Sequence, residues 1–298
     1  MNVRPSILCP IDFSEPSRGA LRYAAVAAAY AGESVTLLTV NDPLLEQAAA
    51  MANGPGSLEA DAHRELERFV SDTFSGRPAS IRVEIAVATG KPDAEILRTA
   101  IERQARLIVM SSRGATGIRK LFLGSVTERV LRATTVPVLV TPPAESGPAT
   151  SDDIRKTIRR ILVPVDITLA GSMEHTVEGA RQIGVILGAQ ILLVHVVEPV
   201  RAMVPGHVFA ANVDNERRDQ AEQRLQAFVE SLPDEPRIEP LVVFGEPAEE
   251  VAKIATDRQA GLVVMGLHAS AVAGARMGSV TYRVLSVTHG LVLALPPR

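Results

Sequence analysis

Apolar and polar positions follow each other in blocks along this chain, with short apolar runs separated by longer amphipathic ones. In the first half, apolar runs typical of buried strands lie at 7–11, 34–40, 81–87, 107–110 and 136–140. The amphipathic runs predict helices near 58–74, 92–104 and 125–133, and one that begins after Ser14 and ends at Gly32. Apolar strands joined by helical crossovers indicate a parallel sheet with helices on both faces.

The second half repeats the first in the same order. IleLeuCysProIleAsp at 7–12 returns as IleLeuValProValAsp at 161–166, and LeuGlySerValThrGluArgVal at 123–130 returns as MetGlySerValThrTyrArgVal at 277–284. Each copy spans about 140 residues, which is enough to bury its own core. The sequence therefore predicts two tandem α/β domains at 1–144 and 158–298, each a doubly wound, five-stranded parallel sheet of Rossmann-like topology.

The segment between the copies has a different composition. Residues 142–153 are rich in proline, small and acidic residues, which favours an extended, solvated connector. The basic residues that follow at 155–160 are interpreted as a solvated edge of the second domain, with an anion site as the alternative.

Composition limits the classes of partner. The chain is 46% hydrophobic with a net charge of -3, lacks tryptophan and contains no apolar run that would cross a bilayer. It has neither the excess of basic residues nor the aromatic residues that are typical of nucleic-acid-binding proteins. The first residues do not resemble a secretion signal, and Cys9 is a lone cysteine in an apolar strand. We expect a cytoplasmic protein with no membrane or nucleic-acid partner.

Small and polar residues follow the predicted strands, at the edge where parallel sheets bind ligands. Asp12 follows the first strand, Val40 ends the second, and Ser111 to Gly114 follow the fourth, with nine residues between Gly114 and Gly124. Where side chains are small, the backbone amides at a helix N-terminus are accessible and can donate hydrogen bonds to phosphate. Arg113, Arg119 and Lys120 add positive charge.

Two of these residues also have a purely structural interpretation. Ser125 and Glu128 have the spacing of a capping box, which would satisfy the helix without a ligand. Asp12 could instead cap the turn into the first helix. Both alternatives remain open at the level of sequence.

With both copies included, the chain resembles a tandem, two-domain universal stress protein over nearly all of its length. In the nucleotide-binding branch of that family the signature is Gly, two residues, Gly, nine residues, then Gly followed by Ser or Thr. The first copy matches from Ser111 to Ser125, with only the first glycine replaced. The resemblance implies an adenine-nucleotide α-hydrolase-like fold that binds ATP or a related adenine nucleotide, and it leaves open whether Mg²⁺ accompanies the ligand.

The same resemblance implies roles for individual positions. Asp12 and Val40 would surround ribose and adenine, and Pro10 and Met110 would border the base. The phosphates would be lined by Ser111, Arg113, Gly114, Gly124, Ser125, Val126 and Thr127. Serine at position 111 costs nothing if the position needs only a small residue, and it is strained if the position needs a positive φ.

The second copy departs further from the signature. It keeps Gly266 but has Ala269 in place of the second glycine, and only eight residues separate Ala269 from Gly278. A second site, empty or much weaker, is predicted at Asp166, Val196, Gly266, His268, Gly278 and Ser279. Asp166 is interpreted as structural, as is His195 in its strand, whereas His268 occupies a loop position from which it could approach a ligand.

Motifs for catalysis are missing from the sequence. There is no nucleophile elbow, no P-loop, no dinucleotide fingerprint after the first strand and no metal-ligand spacing. An adenylating or pyrophosphatase enzyme of related topology would need SerGlyGly after the first strand, where AspPheSerGluPro stands. We expect no catalytic residues and no enzyme activity, with slow incidental ATP hydrolysis left open.

Two functions remain: a stress-response sensor or regulator that binds adenine nucleotide in its N-terminal domain, and a scaffold that binds no nucleotide and acts through protein contacts. Single-domain relatives dimerise through their last strand, so the resemblance implies that the two copies pair as an internal pseudo-dimer. A homodimer and the protein partners are left open. The apolar segment 203–213 is interpreted as a loop that acts as a lid or a contact surface.

Overall fold

The computed structural model describes residues 5–75, 81–114, 123–143, 147–148, 150–168, 173–199, 207–267, 277–288 and 290–297. These residues form two compact units, and the chain passes from the first to the second between Asp153 and Ile154. The predicted limits of 1–144 and 158–298 stay predictions.

The first unit is a parallel sheet with the strand order β3-β2-β1-β4-β5. Its elements are β1 (Ser6–Pro10), α1 (Glu15–Ala31), β2 (Ser34–Asn41), α2 (Pro43–Asn53), α3 (Ser57–Thr73), β3 (Val83–Thr89), α4 (Pro92–Glu102), β4 (Leu107–Ser111), α5 (Ser125–Ala133) and β5 (Val138–Thr141). The predicted doubly wound α/β fold is confirmed.

The second unit repeats this plan with the strand order β10-β9-β6-β7-β8. Its elements are β6 (Arg160–Pro164), α7 (Met173–Leu187), β7 (Gln190–Val197), α8 (His207–Glu230), β8 (Ile238–Phe244), α9 (Pro247–Asp257), β9 (Leu262–Gly266), α10 (Ser279–Val287) and β10 (Leu291–Leu295). A short helix, α6 (Ser151–Thr157), precedes β6.

Burial explains why the central strands are apolar throughout. Leu8, Cys9, Ile108 and Val109 lie on neighbouring strands and are fully buried, so side chains on both faces of the sheet are covered. The predicted cap at Ser14 is confirmed, because its side chain accepts a hydrogen bond from the Ser17 amide. Gly32 and Gly188 end their helices in the left-handed conformation, at φ 66° and 68°.

Three local predictions differ from the structure. Helix α2 was not predicted, although Asp42 caps it by accepting from the Leu44 amide at 2.7 Å and Pro43 opens it. The connector predicted over 142–153 is wrong in its last part, since α6 begins at Ser151. Thr150 and Asp153 form a capping box there, through the Thr150 amide to the Asp153 carboxylate and the Asp153 amide to the Thr150 hydroxyl.

The loop predicted over 203–213 is also wrong from His207 onward, because α8 begins there. Residues 203–206 lie outside the described residues, and so do residues 169–172, which separate Thr168 from α7. No helix in the described part of the chain has the length and apolar character that a membrane crossing requires.

Candidate functional site

A cavity of about 570 Å³ lies at the carboxyl ends of β1, β2 and β4 in the first unit. The chain leaves β1 toward β2 on one side and reaches β4 on the other, so this is where the strand order reverses and ligands of such sheets bind. All residues predicted for the N-terminal site line this one cavity, namely Pro10, Asp12, Val40, Met110, Ser111, Arg113, Gly114, Gly124, Ser125, Val126 and Thr127. That they bind nucleotide stays a prediction.

The backbone of Val40 forms one wall of the cavity. Successive residues of β2 turn their amide and carbonyl groups to opposite neighbours: Leu38 accepts from Ile11 at 2.8 Å, whereas Asn41 accepts from Gly90 at 3.0 Å. Val40 therefore faces the β1 side, where that strand has already ended. Within the described residues no backbone hydrogen bond joins Val40 to Ile11, which leaves a donor and an acceptor on the cavity wall.

Asp12 combines a structural contact with exposure to the cavity. Its Oδ1 accepts from the Ser14 amide at 3.2 Å and from the Ser14 hydroxyl, so the predicted cap of the turn is present. Its Oδ2 lies so close to Gly114 that a Cβ on that glycine would overlap it. The structural interpretation of Asp12 is thus confirmed through Oδ1, and its role toward a nucleotide stays a prediction.

Phe13, which the sequence analysis did not select, lines the cavity in an unusual backbone conformation. Its φ is 60°, a left-handed value that costs a non-glycine residue roughly 1–2 kcal/mol. Its ring meets Phe69 of α3 edge to face, with the ring centroids 5.8 Å apart, and the Arg18 guanidinium lies 4.5 Å from the Phe69 centroid. No local sequence signal marks this conformation, because it depends on packing against a distant helix.

Ser111 occupies the position of the missing first glycine without strain. It is the last residue of β4, it pairs with Thr141, and it is not among the described residues with a positive φ. Its hydroxyl accepts from the Arg113 amide at 3.3 Å and is held in a nearly buried site. The position therefore requires a small residue rather than glycine.

The two ends of the β4–α5 loop are tied together beside the cavity. The Thr127 hydroxyl donates to the Ser111 carbonyl at 2.9 Å, and the Gly124 amide donates to the Ser112 carbonyl at 2.8 Å. These bonds bring the first turn of α5 next to the end of β4. Residues 115–122, with Arg119 and Lys120, lie outside the described residues.

The predicted capping box at Ser125 and Glu128 is wrong. The N-cap of α5 is Gly124, with no side-chain hydrogen bond, and Ser125 is already the first helical residue. The Glu128 carboxylate instead accepts from Arg132 at 2.9 Å. The first amides of α5 and the positive end of its dipole are thus available to an anion at the cavity.

Further residues line the cavity that the sequence analysis did not identify. The end of β2, the loop after it and the helices α2, α3 and α4 contribute Asn41, Asp42, Leu45, Leu58, Pro92 and Ile96. Ile11, Ser17, Leu38 and Thr39 complete the lining with Phe13. The AspPro pair at Asp42 is a helix-start signal that could have placed α2 here. Which helix residues reach the cavity depends on packing.

In the second unit the structure reproduces only part of the predicted site. Asp166 makes the same turn as Asp12, accepting from the Thr168 amide at 2.9 Å and from the Thr168 hydroxyl at 2.6 Å. Gly278 is the N-cap of α10, without a side-chain hydrogen bond, and Ser279 is the first helical residue. Val196 lies in β7 and Gly266 ends β9, whereas His268 lies outside the described residues.

Two further side chains that could carry chemistry have structural roles here. His195 is nearly buried and its Nδ1 makes a hydrogen bond of 3.0 Å with the Val165 carbonyl, which confirms the structural interpretation. Burial raises the pKa of the Cys9 thiol far above its usual range, so the group stays protonated and unreactive in the folded chain. The described residues contain no cluster of three His, Cys, Asp or Glu side chains that could hold a metal ion.

Comparison with known proteins decides the family. The model of the universal stress protein family matches residues 4–142 and again residues 157–296. The chain belongs to the universal stress protein family. A universal stress protein of Mycolicibacterium smegmatis is 26% identical over 302 residues, covering 98% of this chain and 97% of that protein. One from Methanocaldococcus jannaschii is 29% identical over 150 residues, covering 45% of this chain and 92% of that protein.

The solved structures support the same fold. The crystal structure of a universal stress protein from Archaeoglobus fulgidus aligns with a TM-score of 0.65 and 20% identity, covering 98% of each chain. At this identity the likeness establishes the architecture of a tandem universal stress protein and nothing about its ligand. Members of the family are generally not enzymes.

Proposed function

We propose that the first unit of this universal stress protein binds ATP or a related adenine nucleotide and serves as a stress-response sensor or regulator. The observation that carries the proposal is a single cavity which joins the open backbone edge of Val40 to the uncapped N-terminus of α5. The backbone edge of Val40 suits a base and the N-terminus of α5 suits an anion, and a nucleotide contains both groups.

Val40 accounts for a preference for adenine. Adenine carries an acceptor, N1, next to a donor, the N6 amino group, and these match the N–H and C=O of one strand residue. Guanine presents a donor at N1 and an acceptor at O6. These would oppose the N–H and the C=O of Val40, donor against donor and acceptor against acceptor. Buried Met110 and Ile96 supply apolar contacts for the ring.

The other end of the cavity suits ribose and phosphates. Asp12 would accept from ribose hydroxyls through Oδ2, which lies beside Gly114 at the cavity. The backbone amides at the start of α5 would donate hydrogen bonds to phosphate oxygens. Arg113 contributes a positive charge among the described residues that line the cavity. Mg²⁺ binds readily to phosphate oxygens and water, so it would enter on the triphosphate. The described residues offer it no cluster of three His, Cys, Asp or Glu side chains.

Binding would act through conformation. A ligand shifts the balance between two states only when it binds them unequally, so occupancy must favour one arrangement of the loops at the cavity mouth. Rapid hydrolysis would need a positioned water or base together with metal ligands. We therefore expect turnover, where it occurs, to be slow and incidental to the regulatory role.

The test is calorimetric titration of the purified chain after any co-purified ligand has been removed and identified by mass spectrometry. We expect ATP to bind at about one equivalent per chain, since only the first copy keeps the anion-binding loop, and GTP to bind much more weakly. Absence of heat with millimolar ATP, together with no co-purified adenine nucleotide, would refute the proposal.

An observation on α2 favours the second candidate, a scaffold that acts through protein contacts. This helix has no buried residue, and Leu44 and Met51 are 74% and 90% exposed. Exposed apolar clusters mark interaction sites. A partner captured with equal affinity in the presence and absence of ATP, lost when Leu44 and Met51 are replaced by Gln, would support the scaffold.

We propose that the two copies pair as an internal pseudo-dimer and that protein partners or a second chain add to it. Analytical ultracentrifugation distinguishes a monomeric chain from a homodimer across a concentration series.

A further inference from the structure

We infer that Phe13 is a positioning residue: its left-handed backbone, locked by its ring against Phe69, aims the Asp12 carboxylate at the ribose of the bound nucleotide. This inference rests on the proposed function and deepens it, since it concerns how the same site recognises ribose hydroxyls.

The first step is the turn that Asp12 makes. Oδ1 is anchored on the amide and hydroxyl of Ser14, and Ser14 in turn caps α1 by accepting from the Ser17 amide at 3.3 Å. This anchor fixes one oxygen, and the direction of the carboxylate plane depends on the form of the turn. The backbone of the residue between Asp12 and Ser14 sets it, because turns of this kind differ in the φ of their central residue.

The second step is the comparison of the two copies. In the second unit Asp166 makes the same pair of hydrogen bonds to Thr168, but the intervening residue is Ile167, which is not among the described residues with a positive φ. The turn therefore forms on either backbone. The left-handed conformation of Phe13 is therefore not needed for the turn itself. In the first unit it accompanies a second carboxylate oxygen that lies against Gly114 at the cavity.

The third step is what holds that conformation. The Phe13 and Phe69 rings meet at 86°, and Phe69 is itself held by the buried core and by Arg18, which also donates to the Thr73 hydroxyl at 3.1 Å. Strained backbone persists where the surroundings over-determine it. Phe69 does not line the cavity, so any effect it has on ribose recognition must pass through Phe13.

The experiment compares ATP with 2′,3′-dideoxy-ATP, which lacks the ribose hydroxyls, by calorimetry on the full chain. In the wild type we expect the dideoxy compound to bind about tenfold more weakly or worse, because hydrogen bonds to a charged group are lost. Phe13→Ile copies the second unit and resists a positive φ, whereas Phe13→Asn tolerates it, and both remove the ring.

The expected result is a split between these matched variants. Phe13→Ile and Phe69→Leu should bring the two affinities to within about threefold of each other, while Phe13→Asn should keep the wild-type ratio within about twofold. Thermal unfolding followed by circular dichroism verifies that each variant is folded. Phe13 is only partly buried, so its variants remain usable if Phe69→Leu is unstable.

Two outcomes would overturn the inference alone: an unchanged ratio in Phe13→Ile, or a ratio lost as fully in Phe13→Asn as in Phe13→Ile. A wild-type chain that binds no ATP would instead refute the proposed function, and this inference with it. The wild-type measurement therefore separates the two failures.

Discussion

Ser111 at the end of β4 and Gly114 in the loop after it are small for different reasons. Ser111 lies in extended strand and keeps its hydroxyl on the Arg113 amide, so it needs only a modest volume. Gly114 lies against the Asp12 carboxylate, where even a methyl group would overlap an oxygen. The glycine signature thus combines one position that tolerates serine with one that does not.

Restoring glycine at position 111 should therefore bring no benefit. We expect Ser111→Gly to destabilise the chain by about 0.5–1 kcal/mol, the usual cost of glycine within a strand, and to change ATP affinity by less than about threefold. Urea unfolding and calorimetry measure the two quantities. A clear gain in stability would mean that Ser111 carries backbone strain after all.

Gly114 should behave in the opposite way. In Gly114→Ala the new methyl group displaces Asp12, so ATP affinity should fall by about tenfold or more, because a hydrogen bond to a charged group is lost. Gly278→Ala is the matched control, since a Cβ there meets no atom within 4 Å. Equal ATP affinity in the two variants would contradict the role given to Gly114.

At the level of elements, the helices α1 and α5 begin differently although both start beside the cavity. Ser14 caps α1 with its side chain, whereas Gly124 gives α5 none. A helix whose first amides lack a side-chain partner can donate hydrogen bonds from those amides to an anion instead. The end of α5 that the phosphates would use is thus the less satisfied of the two.

A negative charge at this end should compete with the nucleotide. Ser125→Asp places a carboxylate on the first turn of α5, where it repels phosphate and takes up the free amides, so ATP affinity should fall by about tenfold or more. The melting temperature should stay or rise slightly, because an acidic first turn stabilises a helix by about 0.3–1 kcal/mol.

Ser279→Asp is the control, since it adds the same charge at the equivalent position of α10. Its ATP affinity should match that of the wild type. If both variants weaken binding equally, the effect comes from net charge and not from the first turn of α5.

For the whole molecule, duplication has produced two similar units with unequal chemistry. Both keep the turn at the first aspartate, Asp12 or Asp166, and both begin their last helix at an uncapped glycine. The left-handed residue after the aspartate is found at Phe13 and not at Ile167. We expect the first unit to carry the nucleotide and to gain stability from it.

Cys9 can be used to measure the stability that ATP adds to the first unit, because it is the only cysteine of the chain and lies fully buried in β1. Burial raises the pKa of its thiol, so a thiol reagent should react only after the first unit opens. ATP at 100 times its Kd should slow the labelling by about 100-fold, since ligand binding lowers the open population by that factor. Labelling at the same rate with and without ATP would show that the nucleotide does not stabilise this unit.

Much of the fold and part of the site could be read from local pattern. Strands and helices follow from short-range periodicity, and the repeat identifies two copies of one plan. Asp12, Val40 and Gly114 could be grouped in advance because the carboxyl ends of parallel strands meet at one edge. These inferences need only neighbouring residues and the geometry of a parallel sheet.

Other features depend on contacts between residues far apart in the chain. The φ of Phe13 reflects packing on Phe69, and helix α5 begins after Gly124 because Ser112 and Thr127 tie the loop ends together. Such contacts outweigh the preference of a single residue for a backbone conformation, which is about 1 kcal/mol. A local sequence pattern reflects only preferences of that kind. The amino-acid pattern therefore specifies the architecture and the sheet edge at which the cavity lies, whereas long-range packing sets the direction of the groups that would hold a ligand.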